Sequence, residues 1–320
     1  MRLGAAALVG ALAASTASGA PELSLPLDCT PGESCFVQNY VDRDPGPDAL
    51  DFTCGPLTYD GHKGTDIALT SLAAMQAGVA VRAAADGIVT GMRDGMADRI
   101  MTAENADQIK GRECGNGLVI DHGDGWVTQY CHMQRGSLTV QQGQSVKSGD
   151  LLGLVGLSGQ TQFPHLELSV RLDGAVVDPF APGAGATCGG SGTPLWKDPI
   201  AYAPGGLIAL GFTDAIPAFD AVKSGTVARE TLPPDAPALV LFAYGYGSRA
   251  GDQLDITIQG PAKRVMARTV RLEKTQAQYF RAIGKRAAPG GWPAGRYTGT
   301  VALIRQGRPI GRQTIELTIQ

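Results

Sequence analysis

Apolar positions along this chain fall in short runs broken by glycine, proline or charge. GHKGTDIAL leads into SLAAMQAGVAVRAAADGIVTG, which reads as a brief helical or irregular turn followed by two short strands. A charged excursion, MRDGMADRIMTAENADQIKGRECG, separates these from NGLVIDHGDGWVTQYCHM. In that stretch two strands flank GDG, where Asp-Gly supports a tight hairpin. Glycines then punctuate VKSGDLLGLVGLSGQ into short apolar strands, and HLELSVRLDGAVVDPF supplies another hairpin around LDG. These elements predict a compact antiparallel β domain over about residues 50–185, its working surface assembled from strand ends and loops.

The turn-rich GGSGTPLWKDPI marks the exit from that module, in a linker over 186–210. From about Gly211 the pattern changes. APALVLFAYGY, DQLDITIQG, AKRVMARTVRLE, AQYFRAIG, AGRYTGTVALIRQG and RQTIELTIQ read as six or seven strands separated by turns. Alternation in LDITI and TIELTI gives each strand one buried and one wetted face. A small β-sandwich-like domain over 211–320 is the simplest way to cover those faces. The chain is therefore expected to be mainly β, and its 44 glycines and 20 prolines leave little room for long helices.

Composition refines this picture in several places. The chain has 320 residues, 43% of them apolar, enough for two cores and too apolar for general disorder. Its start, MRLGAAALVGALAASTASGAPE, has the layout of a cleaved secretory signal over 1–20, followed by a polar, Pro/Gly-rich lead-in over 21–49. Six cysteines follow, Cys29, Cys35, Cys54, Cys114, Cys131 and Cys188, and an even count after such a signal favours up to three disulfides. Cys29 with Cys35 would close a small loop; a structural zinc site is the alternative, although no C-x-x-C pair is present. A secreted protein is implied, periplasmic or else extracellular. The formal charge of −3 gives no support to nucleic-acid binding. Residues 208–320 carry 15 Lys/Arg against 8 Asp/Glu, so this basic half faces an acidic first half. That contrast suits a dispersed solvated surface, or contact with an anionic envelope surface or the acidic first module.

All four histidines, His62, His122, His132 and His165, lie in the first module. HKGTD sets His62 and Asp66 four residues apart. In HLE, the period of two puts His165 and Glu167 on one strand face while Leu166 points away. Three of these groups plus water would make a tetrahedral zinc site; hydrogen-bonded surface residues are the competing reading.

The order of motifs bears on that choice. GHKGTDIAL, AAADGIV, GNGLVIDHGDGWVTQYCHM, VKSGDLLGLVGLSGQTQFPHLELSV and VVDPF together resemble the LytM-like M23 metallopeptidase family over about residues 60–181. The resemblance implies a small antiparallel β fold, a bound Zn2+, and action on peptide bonds of bacterial peptidoglycan. It implies His62 and Asp66 as zinc ligands and His132 and His165 as catalytic histidines beside the metal. The family pattern ends in H-x-H; here HLE sets Glu167 at the third ligand position. Glutamate oxygen is an acceptable zinc donor, but two carboxylates make the metal shell nearly neutral by formal count. The partners implied are peptidoglycan peptides or another cell-envelope component. An inactive peptidoglycan-binding or regulatory module is the alternative. His122 is expected to support a turn, and Tyr130 to serve local packing or substrate positioning; neither module sets an oligomeric state.

Overall fold

A computed structural model describes residues 19–183, 187–190 and 192–320. The expected secretory leader lies outside the described residues up to position 18. Helix is confined to three short segments among the described residues, α1 (Leu72–Gln76), α2 (Ala106–Ile109) and α3 (Phe219–Ser224). None is long and apolar enough to cross a membrane.

The strands of the first half are β1 (Cys35–Asn39), β2 (Thr65–Leu69), β3 (Ala80–Arg82), β4 (Gly87–Arg93) and β5 (Asn116–Gly123). They continue with β6 (Trp126–Met133), β7 (Ser145–Val146), β8 (Leu151–Leu154), β9 (His165–Leu172) and β10 (Ala175–Val177). Eight of them form one sheet in the order β1-β2-β9-β6-β5-β4-β7, with β10 paired to β9; β3 and β8 pair separately. Every pairing in the large sheet is antiparallel. The two expected hairpins form at Asp124-Gly125 and Asp173-Gly174, with positive φ at both central residues of each turn (49° and 80°, 50° and 82°). Aspartate and glycine tolerate that left-handed pair, whose twist matches the strands.

One face of the sheet covers a core of Ile67, Leu69, Leu118, Ile120, Tyr130, Leu166, Leu168 and Val170. Leu23 and Leu27 of the lead-in and Leu195 and Trp196 of the linker join that core. Three disulfides, Cys29–Cys35, Cys54–Cys188 and Cys114–Cys131, use every cysteine.

The second half contains β11 (Gly206–Thr213), β12 (Thr231–Leu232), β13 (Ala238–Ser248), β14 (Gln253–Gln259), β15 (Arg264–Arg271), β16 (Gln276–Arg286), β17 (Gly295–Arg305) and β18 (Arg308–Ile319). They form a three-stranded sheet β11-β13-β16 and a five-stranded sheet β12-β18-β17-β14-β15. Phe212, Leu241 and Tyr279 of the first meet Leu254, Ile256, Val301 and Leu303 of the second in one sandwiched core. Eight strands stand where six or seven were expected. The added ones escape a period-two search: β12 is two residues long, and β11 is buried on both faces.

A third cluster joins the halves: Phe36, Ala68 and Phe163 pack with Ile208, Phe242, Tyr244 and Tyr246. Phe36 stacks on Tyr246 with ring centroids 4.2 Å apart. Phe36 pairs in register with Ala68, and Ala68 with His165, so the second half seats against the sheet row that ends at His165.

Candidate metal centre

Strand register assembles the site. Asp66, the second residue of the fully buried β2, pairs with Asn39 on one side and Glu167 on the other. Glu167 in turn pairs with Cys131 of β6. Paired residues share a sheet face, so Asn39, Asp66, Glu167 and Cys131 form one row across four strands. Alternation places His165 on the same face as Glu167, two residues earlier on β9. His62 enters from the turn before β2, its backbone N–H bonded to the Tyr59 carbonyl at 3.0 Å.

His132 follows Cys131, and strict alternation would send its side chain to the opposite face. Its φ of +64° breaks the alternation, and its ring lies 4.6 Å from that of His165. A left-handed backbone is uncommon outside glycine and persists only where its surroundings enforce it. Here the His132 N–H donates to the Cys114 carbonyl, the His132 carbonyl accepts from Gly156, and the Cys114–Cys131 disulfide fixes the preceding residue.

The three rings are held alike. Nδ1 of His62 donates to the Tyr40 carbonyl (2.8 Å), Nδ1 of His132 to the Ser158 carbonyl (2.8 Å), and Nδ1 of His165 to the Phe163 carbonyl (2.7 Å). A carbonyl can only accept, so each Nδ1 carries hydrogen and each Nε2 faces the cluster. Nε2 of His62 lies 3.1 Å from Asp66 Oδ1, and Nε2 of His165 lies 3.6 Å from the same oxygen. Nε2 of His132 lies 3.3 Å from Glu167 Oε2. The other Asp66 oxygen accepts from the Asn39 amide at 2.9 Å.

An imidazole lone pair facing a carboxylate oxygen at such a distance needs positive charge between them, either a proton on Nε2 or a cation. Burial opposes charge on His62, but Asp66 and then Glu167 outweigh it and push its pKa up to about 9. Burial would raise Asp66; the charges of His62 and His165 overcome it and hold the carboxyl well below the usual range. Glu167 is likewise lowered, its desolvation outweighed by the bond to His132. His165 is pushed down by burial, and nearby His132 adds to the effect against the pull of Asp66.

Ligand atoms of His62, Asp66 and Glu167 all lie within 4.8 Å of one another. Two ionised carboxylates, an oriented imidazole nitrogen and fixed outer hydrogen bonds suit a divalent cation with nitrogen and oxygen ligands, zinc among them. Gly64 makes room for the third member: a Cβ there would sit 2.5 Å from Glu167 Cγ.

All five residues singled out in the sequence thus meet in one cluster. His122 does not: its Nδ1 donates to the Asp86 carbonyl and its Nε2 faces Thr128, supporting the β5–β6 hairpin. Tyr130 is fully buried, and its hydroxyl accepts from the Ala84 N–H and from Thr128, which is a packing role. Asn39, Gly64 and the carbonyls of Tyr40, Ser158 and Phe163 were not foreseen. Main-chain acceptors leave no mark on side-chain identity, and Asn39 sits in the lead-in, remote in sequence from every histidine motif.

Residues 60–179 match the model of peptidase family M23. The chain is 32% identical over 126 residues to the DD-carboxypeptidase/endopeptidase Mpg of Neisseria meningitidis, covering 39% of this chain and 23% of that protein. It is 34% identical over 112 residues to the peptidoglycan DD-endopeptidase ShyA of Vibrio cholerae, covering 34% and 20%. Over 68 residues it is 40% identical to the cell division protein DipM of Caulobacter vibrioides, covering 21% and 11%. The chain thus matches less than a quarter of the length of each of these relatives. A zinc containing peptidase from Vibrio cholerae aligns with 46% of this chain and 39% of its own, at 27% identity and a TM-score of 0.29.

Proposed function

We propose that this chain, whose residues 60–179 match the model of peptidase family M23, is a zinc-dependent metalloendopeptidase acting on peptide bonds of bacterial peptidoglycan. The observation that carries the reading is the convergence of three Nδ1-anchored imidazoles and two ionised carboxylates at one point of the sheet. The substrate class is supported by the name of the relative ShyA, and the endopeptidase reaction by those of ShyA and Mpg.

In this reading His62, Asp66 and Glu167 hold the metal. Zinc bound there supplies Lewis-acid polarisation of the scissile carbonyl and acidifies water, less strongly than with a neutral third ligand, because two carboxylates offset its charge. The chain's own groups move the protons. His165, kept neutral by burial, accepts a proton through Nε2 as water adds to the carbonyl carbon. His132, its ring beside that of His165, stabilises the oxyanion that develops. The C–N bond then breaks, and the proton held by His165 passes to the leaving amine. The three disulfides call for an oxidising, non-cytoplasmic compartment, and the periplasm is the location we propose.

A second reading rests on one contact. Glu167 Oε2 lies 3.3 Å from His132 Nε2, so the departing ligand position engages a catalytic histidine. If that pair persists in the loaded protein, the domain binds peptidoglycan peptides without cutting them.

The test is oxidised, zinc-supplemented protein on cross-linked muropeptides. Stoichiometric zinc, with cleavage that disappears in His165→Ala while zinc is retained, is the expected result. Absence of both zinc and cleavage overturns the proposal, and peptide binding without cleavage selects the second reading.

A further inference from the structure

The excursion between β4 and β5 does more than cover the sheet. Residues drawn from 93–112, with Gly159, line a half-open cavity of about 560 Å3, within the size range of small-molecule sites. Arg93, Arg99 and Arg112 all line it. Arg93 donates to the Gly115 carbonyl, while the guanidinium groups of Arg99 and Arg112 have no ion pair or hydrogen bond among the described residues.

The excursion contains acids as well, and their placement matters. Asp94 lines the cavity, but its carboxylate accepts the N–H groups of Gly136 and Leu138. Asp98 accepts those of Arg135 and Leu157. Glu113 accepts from Gly111. Glu104 and Asp107 are exposed and do not line the cavity. The acids bind backbone and anchor the wall, and the arginines are left to face the space.

The wall is also hydrogen-bonded to segments that support the histidines. Asn116 accepts from the N–H groups of Gly95 and Met96 and donates to the Met96 carbonyl. Arg99 N–H bonds the Leu157 carbonyl, and Met101 N–H bonds the Thr161 carbonyl. Ser158, between them, is the acceptor for His132 Nδ1, and the Thr161 hydroxyl lies 3.1 Å from His165 Nδ1. Segment 157–161 therefore carries supports of both histidines and backbone bonds to the cavity wall. Gly159 permits that close approach: its φ is +84°, and a Cβ would come within 2.1 Å of the Glu113 carbonyl.

We propose that the cavity lined by Arg93, Arg99 and Arg112 is an anion subsite that takes a free carboxylate of the peptide bound at the metal centre. Arginine is suited to this because its planar fork binds both oxygens of a carboxylate. The inference deepens the function proposed above and rests on it for the identity of the peptide. The carboxylate is either the C-terminal one or one borne on a side chain of the peptide, and the experiment separates these.

The probe is a soluble muropeptide dimer in three forms: free acid, amidated at the C-terminus, and amidated at the side-chain carboxyls. Affinity is read by calorimetry on zinc-supplemented His165→Ala protein, and KM and kcat on the otherwise unchanged chain. Arg99→Gln and Arg112→Gln are each expected to weaken the free acid about tenfold. The same substitutions should leave the correctly amidated form within twofold, and kcat within twofold. Whichever amidated form already binds like the variants identifies the carboxylate. Since neither guanidinium bonds the protein, both variants should keep the parent's melting temperature. Arg99→Lys should restore part of the affinity.

Free-acid affinity unchanged by Arg93→Gln, Arg99→Gln and Arg112→Gln overturns the proposal, as does failure of the free acid to bind at all. A chain that binds with this arginine dependence but never cuts removes the peptidase reading and leaves the subsite standing. Cleavage with arginine-independent KM does the reverse.

Discussion

Replacing Glu167 by glutamine tests the site where it departs most from a histidine ligand. The change keeps the shape of the side chain and removes its charge. In the metal-free protein Glu167 and Asp66 offer oxygens within 4.8 Å of each other. Two unit charges at that separation repel by about 3.5 kcal/mol at an effective dielectric of 20. Against this, Glu167 has His132 at 3.3 Å, and His62 contributes a further attraction. The attraction prevails, since Glu167 is lowered, so Glu167→Gln is expected to destabilise the metal-free protein modestly. Zinc affinity should respond very differently. Changes in groups that merely orient a ligand cost about 10–100-fold, so loss of an anionic ligand should exceed about 100-fold. Competition against a chromogenic chelator gives the dissociation constants, and urea denaturation with chelator present gives the stability. Glu167→His, which restores an imidazole, should hold zinc at least as well as glutamate and raise the rate of hydrolysis. Zinc affinities within threefold of the parent for both Glu167→Gln and Glu167→Ala would place Glu167 outside the metal's ligands and refute the argument.

Four further outcomes follow, two from the same site and two from other parts of the molecule. His62, pushed up to about 9, is protonated at neutral pH in the metal-free site, while Asp66 and Glu167 are lowered and already ionised. Zinc uptake at pH 7 should therefore release about one proton, measured by calorimetry in buffers of differing ionisation enthalpy; zero release contradicts the assignment. Without metal, that raised pKa contributes up to about 3 kcal/mol of stability below pH ~6.5, lost as pH rises through about 9. Asp178 is raised to about 6, chiefly by burial, and its Oδ2 has no hydrogen-bond partner. A raised acid favours folding once protonated, so stability should grow as pH falls from about 6 toward 4. Asp178→Asn should then stabilise the protein by about 1–3 kcal/mol at pH 8 and by almost nothing at pH 4; a pH-independent difference in urea midpoint would contradict this. The Cys54–Cys188 bridge spans 134 residues, a loop whose closure is worth up to about 5 kcal/mol. Cys54→Ser with Cys188→Ser should lose about 3–5 kcal/mol in chemical denaturation, and a loss under 1 kcal/mol would rule out the loop-closure account.

The parts legible in the sequence were those encoded within a few residues. The two Asp-Gly turns announced their hairpins because only residues tolerant of positive φ fit them. His165 and Glu167 shared a face because a strand repeats every two residues. His132 was reachable only through family resemblance: its facing depends on a left-handed backbone that three outside attachments impose, and local pattern predicts the opposite side. The cysteine spacings suggested one small loop, but nothing in them linked Cys54 to a partner 134 residues away. Strand β11 hid its character because both its faces are covered, which erases the alternation that marks β18.

The row Asn39–Asp66–Glu167–Cys131 draws its members from four distant stretches of chain. No fragment holding only one of these strands contains the ligand set, which needs His62 and Asp66 at β2 and Glu167 on β9. The cluster is complete only when these long-range strand pairings, of the kind that slows folding, have closed. A metal that binds it therefore recognises the native ensemble and not the unfolded one. By mass action, each tenfold rise in free metal above its dissociation constant should add about 1.4 kcal/mol to the folded state. Catalytic loading and resistance to unfolding are thus expected to rise together along a single titration.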